Sequence, residues 1–167
     1  MPWVCHTCGQ EHEDTPLNWA FDSPAYWDGP RGSDDVLTDD LCIWTDTDDR
    51  RCFFVRGIIP IPVRDTGEVF SYGVWSSLSE RSYERTVERW DDERREEEPP
   101  YFGFLSNNLP GYPTTLNLHL AVVTRSLALR PSFILLPDAE PHPLVEEQWQ
   151  GIDRDRVYEL AELYFHA

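Results

Sequence analysis

The sequence contains no lysine. All 14 of its Lys+Arg positions are arginine, set against 31 aspartates and glutamates, for a formal net charge of -17. So little positive charge excludes an ordinary nucleic-acid binder, which needs a basic footprint on the phosphate backbone, and it disfavours anionic membrane surfaces. Long apolar runs are also missing, and nothing approaches the ~18 residues of a membrane span. The opening MPWVCHTCGQEHED has neither the basic n-region nor the apolar h-region of a secretion signal. The expected compartment is therefore the cytoplasm, where thiols stay reduced. In that setting the four cysteines read as buried thiols or metal ligands, not as disulfides. There is no P-loop, no Gly-rich dinucleotide fingerprint and no Ser/His/Asp arrangement, and the carboxylates are too numerous to nominate a catalytic pair. No reaction is legible.

What is present is a chain able to build a core. Its 167 residues are 40% hydrophobic and 13% aromatic, which rules out a disordered polymer and suits one domain over 1–167. The centre is Cys52 to Leu78, CFFVRGIIPIPVRDTGEVFSYGVWSSL. Phe70, Tyr72 and Val74 alternate with Ser71, Gly73 and Trp75, and a Gly-containing turn at 64–68 separates this run from an apolar one, so the stretch reads as a β-hairpin. Pro60 and Pro62, two apart, remove two N–H donors from one flank of the first strand. That flank cannot be fully paired, so the other must face the hairpin partner.

Further strands are expected at 41–45, 101–105, 116–122 and 133–136. Residues 16–27 read as an extended segment with a short helical turn opening at Ser23-Pro24. A helix with Tyr83, Val87 and Trp90 on one face follows the hairpin, capped by Ser77 or Ser79. The run DDERREEEPP at 91–100 reads as a solvated loop, and 106–115 as an ordered one. A short helix over 142–150 should stop at Gly151. The last helix has Asp153 to cap it and Ile152 to staple onto Val157.

Cys5-His6-Thr7-Cys8-Gly9 is the most specific motif. Two thiolates at C-x2-C spacing can hold one tetrahedral ion, and a glycine after the second lets the backbone turn beneath the sulfurs. His12 is close enough to be a third ligand. The fourth is open among Cys42, Cys52, His142 and His166. A redox reading fits less well, because the motif does not lie between a strand and a helix. Arg56, alone in an apolar strand, is either an edge arginine paired with an acid or an anion clamp. Trp75, Asn107, Tyr112 and His142 could line a cleft with it.

Several segments together resemble the bacterial family known as domain of unknown function 2199. They are CHTCGQEH (Cys5 to His12), DDLCIW around Cys42, FFVRGIIPIPV (Phe53 to Val63), YGVWSSLS (Tyr72 to Ser79), FGFLSNNLPGYPTTLNL (Phe102 to Leu118) and HPLVEEQWQGI (His142 to Ile152). The resemblance spans nearly the whole chain and implies no reaction, since that family has none established. It implies a shared knuckle with a cysteine at Cys42, making Cys5, Cys8, His12 and Cys42 the ligand set, and shared Arg56, Trp75, Tyr112 and His142.

The expectation is an α+β fold on a mostly antiparallel sheet, with two or three helices and an N-terminal Cys/His zinc knuckle over 1–14. Zinc would be structural. Two functional readings remain. One is a zinc-stabilised binding module whose acidic surface takes a basic protein partner. The other is a small-molecule enzyme or sensor with a pocket near Arg56, Trp75, Tyr112 and His142.

Overall fold

A computed structural model describes residues 2–12, 16–138 and 140–166. In chain order the strands are β1 (Trp3–Val4), β2 (Glu11–His12), β3 (Asn18–Ala20), β4 (Val36–Leu37), β5 (Leu41–Thr45), β6 (Arg51–Pro62) and β7 (Val69–Leu78). Helix α1 (Glu80–Glu88) and a 3-10 turn (Arg95–Glu97) lead to β8 (Tyr101–Phe104), β9 (His119–Val123) and β10 (Ser132–Leu135). Helices α2 (Pro143–Gln150) and α3 (Arg154–His166) close the chain. This is the expected α+β architecture, with a mixed and mostly antiparallel sheet.

The central hairpin is the longest pairing, antiparallel from Phe53↔Leu78 to Pro62↔Val69. Its alternation decides which residues are inside. Phe70, Tyr72, Val74 and Leu78 join Phe53, Val55, Ile59 and Ile61 in the main core. Trp75 points the other way, into a second cluster with Cys42 and Phe54 beneath the aromatic 21–27 segment. Fully burying side chains such as Ile59, Leu120 or Phe133 contributes about 1.5–3 kcal/mol each.

The outer flank of β6 behaves as its prolines dictate. Ile58 N–H still reaches Pro131 O at 3.0 Å, where β10 meets β6 in parallel at the single pair Ser132↔Ile58. Beyond that point Pro60 and Pro62 have no N–H to offer. The strands part, and the end of α2 fills the opening. Farther along, Ile152 N–H donates to Pro62 O at 2.8 Å, and Arg64 N–H donates to Ile152 O at 2.8 Å.

The main sheet runs β3-β7-β6-β10-β9-β8, with β5 on β6 and β4 on β5. Its far edge then returns to β7. Ser106 N–H donates to Trp75 O at 2.8 Å, Phe104 N–H donates to Ser77 Oγ at 3.0 Å, and Leu105 bridges Ser76. Strands β7, β6, β10, β9 and β8 thus curl into a barrel-like ring. Gly103 allows the closure, because a Cβ there would lie 2.1 Å from Ser76 Oγ and 2.4 Å from Ser77 O.

The helix starts are as expected, but of the face expected on the first helix only Tyr83 is buried: Val87 is exposed, and α1 ends at Glu88, before Trp90. Ser79, not Ser77, caps α1, its Oγ accepting from Ser82 N–H at 3.1 Å. Asp153 Oδ1 accepts from Arg156 N–H at 2.9 Å at the head of α3, and both staple residues are buried. Two local expectations do not survive. Residues 91–100 are not a free solvated loop, because the 3-10 turn brings Glu98 against Arg85, Arg89 and the Tyr101 hydroxyl. The expected 116–122 strand starts only at His119, since Asn117 adopts φ 69° and breaks the extended backbone before it. The short turn expected at Ser23-Pro24 is present as a single hydrogen-bonded turn, with Trp27 N–H donating to Pro24 O at 3.1 Å.

Candidate metal centre

The N-terminal knuckle is a small antiparallel hairpin in which Trp3 pairs with His12 and Val4 with Glu11. Residues 1, 13 and 14 of the expected segment lie outside the described residues. Cys5 N–H donates to Gln10 O at 2.9 Å, and Gly9 N–H turns back to Cys5 O at 2.8 Å. Gly9 sits at φ 71°, the left-handed region that a glycine occupies without strain. This turn brings the two sulfurs and the imidazole together. The ligand atoms of Cys5, Cys8 and His12 all lie within 4.8 Å of one another, a group that could hold a metal ion. The Cys8 Sγ–His12 Nε2 separation is 3.6 Å. In a zinc tetrahedron, bonds of ~2.3 Å to sulfur and ~2.0–2.1 Å to nitrogen put sulfur and nitrogen ~3.6 Å apart.

The knuckle docks on α3. Trp3 stacks on His12 and Tyr158, and His12 stacks on Phe165 at 4.6 Å. Cys5 is fully buried with Trp3 and Ala161. Glu162 accepts from His6 N–H at 2.7 Å. His166, on the last turn of the helix, places Nε2 3.2 Å from Cys5 Sγ.

Burial raises the Cys5 thiol pKa. The Cys8 amide, the His166 ring and the Thr7 amide more than offset this, leaving it at about 6, a thiol readily converted to a thiolate.

The structure does not bring Cys42 to this group. Cys42 is on β5, opposite Phe54, and its side chain is sealed in the Phe54–Trp75 cluster instead of the knuckle's own cluster. Burial, then the neighbouring Asp35 and Cys52, push its thiol up to about 12, so it stays protonated at neutral pH. Cys52 is beside it, and its thiol is likewise raised by burial. The knuckle is therefore anchored to the C-terminal helix and not to the first sheet strand.

The five residues expected to line one pocket fall on opposite faces of the sheet. Arg56 is opposite Trp75 in register, its guanidinium over the indole at 5.8 Å and 3.7 Å from Asp22. Its Nε is buried without a hydrogen-bond partner. Asn107 pins the covering segment there, accepting from Trp75 N–H at 2.8 Å and donating to Ser23 O at 2.9 Å.

Tyr112 and His142 are on the other side. Tyr112 donates to Glu147 Oε2 at 2.7 Å, and its hydroxyl is 2.8 Å from that of Tyr72. Burial raises the pKa of both phenols. His142 caps α2: Nδ1 accepts from Leu144 N–H at 3.1 Å, which leaves the proton on Nε2 to face Thr114 O at 3.1 Å and Pro113 O at 3.2 Å. These contacts hold loops and helix ends together.

Fold and site define the class: an α+β protein carrying an N-terminal Cys/Cys/His hairpin that could hold a metal ion. The chain belongs to the bacterial family described as "Uncharacterized protein conserved in bacteria (DUF2199)", whose model matches residues 4–152. The match includes Cys5, Cys8, His12 and Cys42 and ends before α3, so His166 lies outside it. No curated protein and no solved structure matches the chain. Among the described residues, no helix is long and apolar enough to cross a membrane.

His166, one of the four residues left open for the fourth position, is the one that lies beside Cys5. The segment 124–131 escaped the sequence reading, although Arg125 and Arg130 bracketing exposed Leu127 and Leu129 were the available signal for it.

Proposed function

We propose that the protein is a zinc-stabilised binding module for a basic protein partner. The convergence of Cys5, Cys8 and His12 is the observation that carries the metal reading. His166 is the fourth ligand in this reading: its Nε2 is 3.2 Å from Cys5 Sγ, and from outside the Cys5, Cys8 and His12 group it closes on the other two when the ion binds. Four protein ligands leave no position for water, so the zinc stabilises and does not catalyse. It clamps a hairpin that has only Trp3 and Cys5 of its own in a core against the last helix, and binding of the ion is coupled to that docking.

The partner reading rests on charge. A formal net charge of -17 leaves a field that attracts basic surfaces and repels acidic ones. Most of the arginines, such as Arg85, Arg89 and Arg156, already face carboxylates, so little positive potential is left to oppose it. Metal content tests the first half of the proposal. The salt dependence of binding to an arginine-rich peptide tests the second.

A further inference from the structure

A cavity of about 500 Å³ opens at one end of the barrel-like ring, where the β9–β10 connection faces α1. That volume lies in the ~300–1,000 Å³ range of small-ligand sites, and the mouth of a barrel is a usual place for one. Trp90, Tyr101, Leu127 and Leu129 supply apolar wall. Its charge runs against the rest of the molecule. Four arginines line it against three carboxylates, in a chain whose acids outnumber its bases 31 to 14.

Two of those arginines are neutralised locally. Arg130 Nε donates to Asp40 at 2.8 Å, and Arg89 is paired with Glu98 and Asp92. The other two are not. Arg95 spends its hydrogen bonds on the carbonyls of Trp90, Arg125, Ser126 and Leu129, at 2.9–3.0 Å. Carbonyls fix a guanidinium but do not cancel its charge. Arg125 donates through Nε to Arg130 O at 2.6 Å, and its two terminal nitrogens have no partner among the described residues. Burial, with no carboxylate to oppose it, lowers its pKa.

We propose that this cavity binds a small organic anion, a carboxylate or phosphate with an apolar body. The acid group sits on the free fork of Arg125, with the charge of Arg95 behind it, and the body packs on Trp90 and Tyr101. A planar fork with two parallel donors suits both headgroups. A polymer of phosphates would meet the acidic surface around the opening, whereas a single small anion enters a site that is locally positive.

The test is calorimetric titration of the full chain at constant ionic strength with benzoate, phenyl phosphate and benzyl alcohol as probes. The expected result is saturable binding of at least one of the two anions, and the tighter one identifies the headgroup. Benzyl alcohol should bind at least about tenfold more weakly, because it cannot use a charge-assisted fork. Arg125→Gln should weaken the anion about tenfold or more, and Arg125→Lys, which keeps the charge but loses the fork, by less. Equal binding of the neutral probe, no binding of either anion, or wild-type affinity in Arg125→Gln overturns the proposal. Should Arg125→Gln fail to fold, Leu129→Trp fills the cavity from its rim while keeping both arginines, because Arg95 bonds Leu129 through the backbone carbonyl that the substitution retains. It should weaken the anion, and unchanged affinity there overturns the proposal equally.

Discussion

Gln148 stands where a neighbouring strand would otherwise pair with Pro60. Its side-chain amide accepts from Leu135 N–H at 2.6 Å and donates to Phe133 O at 2.8 Å and Pro60 O at 3.4 Å. One buried amide thus works as a rung between β10 and the proline-interrupted flank of β6. Gln148→Leu keeps the bulk and leaves those groups unpaired. Unsatisfied buried polar groups cost about 1–3 kcal/mol each. Three such groups together cost about 3–9 kcal/mol, and at about 2–4 °C per kcal/mol for a domain of this size melting should fall by at least roughly 6 °C. A melting curve that matches the parent would show that the rung contributes nothing.

Glu98 sets an acid limit on stability. Hydrogen bonds from Arg85 and Tyr101 outweigh the opposing effect of burial and, with Arg89, lower its pKa from 4.5 to about 2. A carboxyl whose folded pKa lies below its unfolded one contributes stability above the unfolded value and loses it as pH falls towards the folded one. Between pH 4.5 and about 2 the parent should therefore lose melting temperature faster than Glu98→Gln, which has no proton to gain. Parallel acid limbs for the two proteins would contradict this assignment.

Basic-partner binding should be electrostatic. An arginine-rich peptide should bind, its affinity should drop steeply as salt rises, and a version with glutamine for arginine should not bind. Exposed charges reach only ~8 Å at physiological ionic strength, so the effect must be visible across ordinary buffer concentrations. Salt-independent binding, or equal binding of the glutamine version, would remove the partner reading.

The parts of this fold that were legible in the sequence are those written locally. Alternation separated Tyr72 from Trp75, Ser79 and Asp153 marked helix starts, and the prolines at 60 and 62 named the flank of β6 that could not pair. What fills that flank was not legible, because Gln148 is 88 positions from Pro60 and looks like any polar residue in a short helix. Cys5, Cys8 and His12 were readable as a set for the same local reason. The contact that ties them to the remainder of the protein spans 161 positions, and spacing favoured the nearer Cys42. The charge run at 91–100 misled in the opposite sense: its composition is that of solvated chain, yet Glu98 is a partly buried partner of two arginines.

Zinc content per chain, measured on protein purified without chelator, tests the metal centre most directly. The parent and Cys42→Ser should each hold about one zinc per chain, since a protonated thiol sealed behind Phe54 is no ligand. Cys8→Ser should lose the metal, and His166→Ala should retain it more weakly and release it first to a competing chelator. A parent free of zinc, or a Cys8→Ser variant as fully loaded as the parent, would contradict the proposed centre.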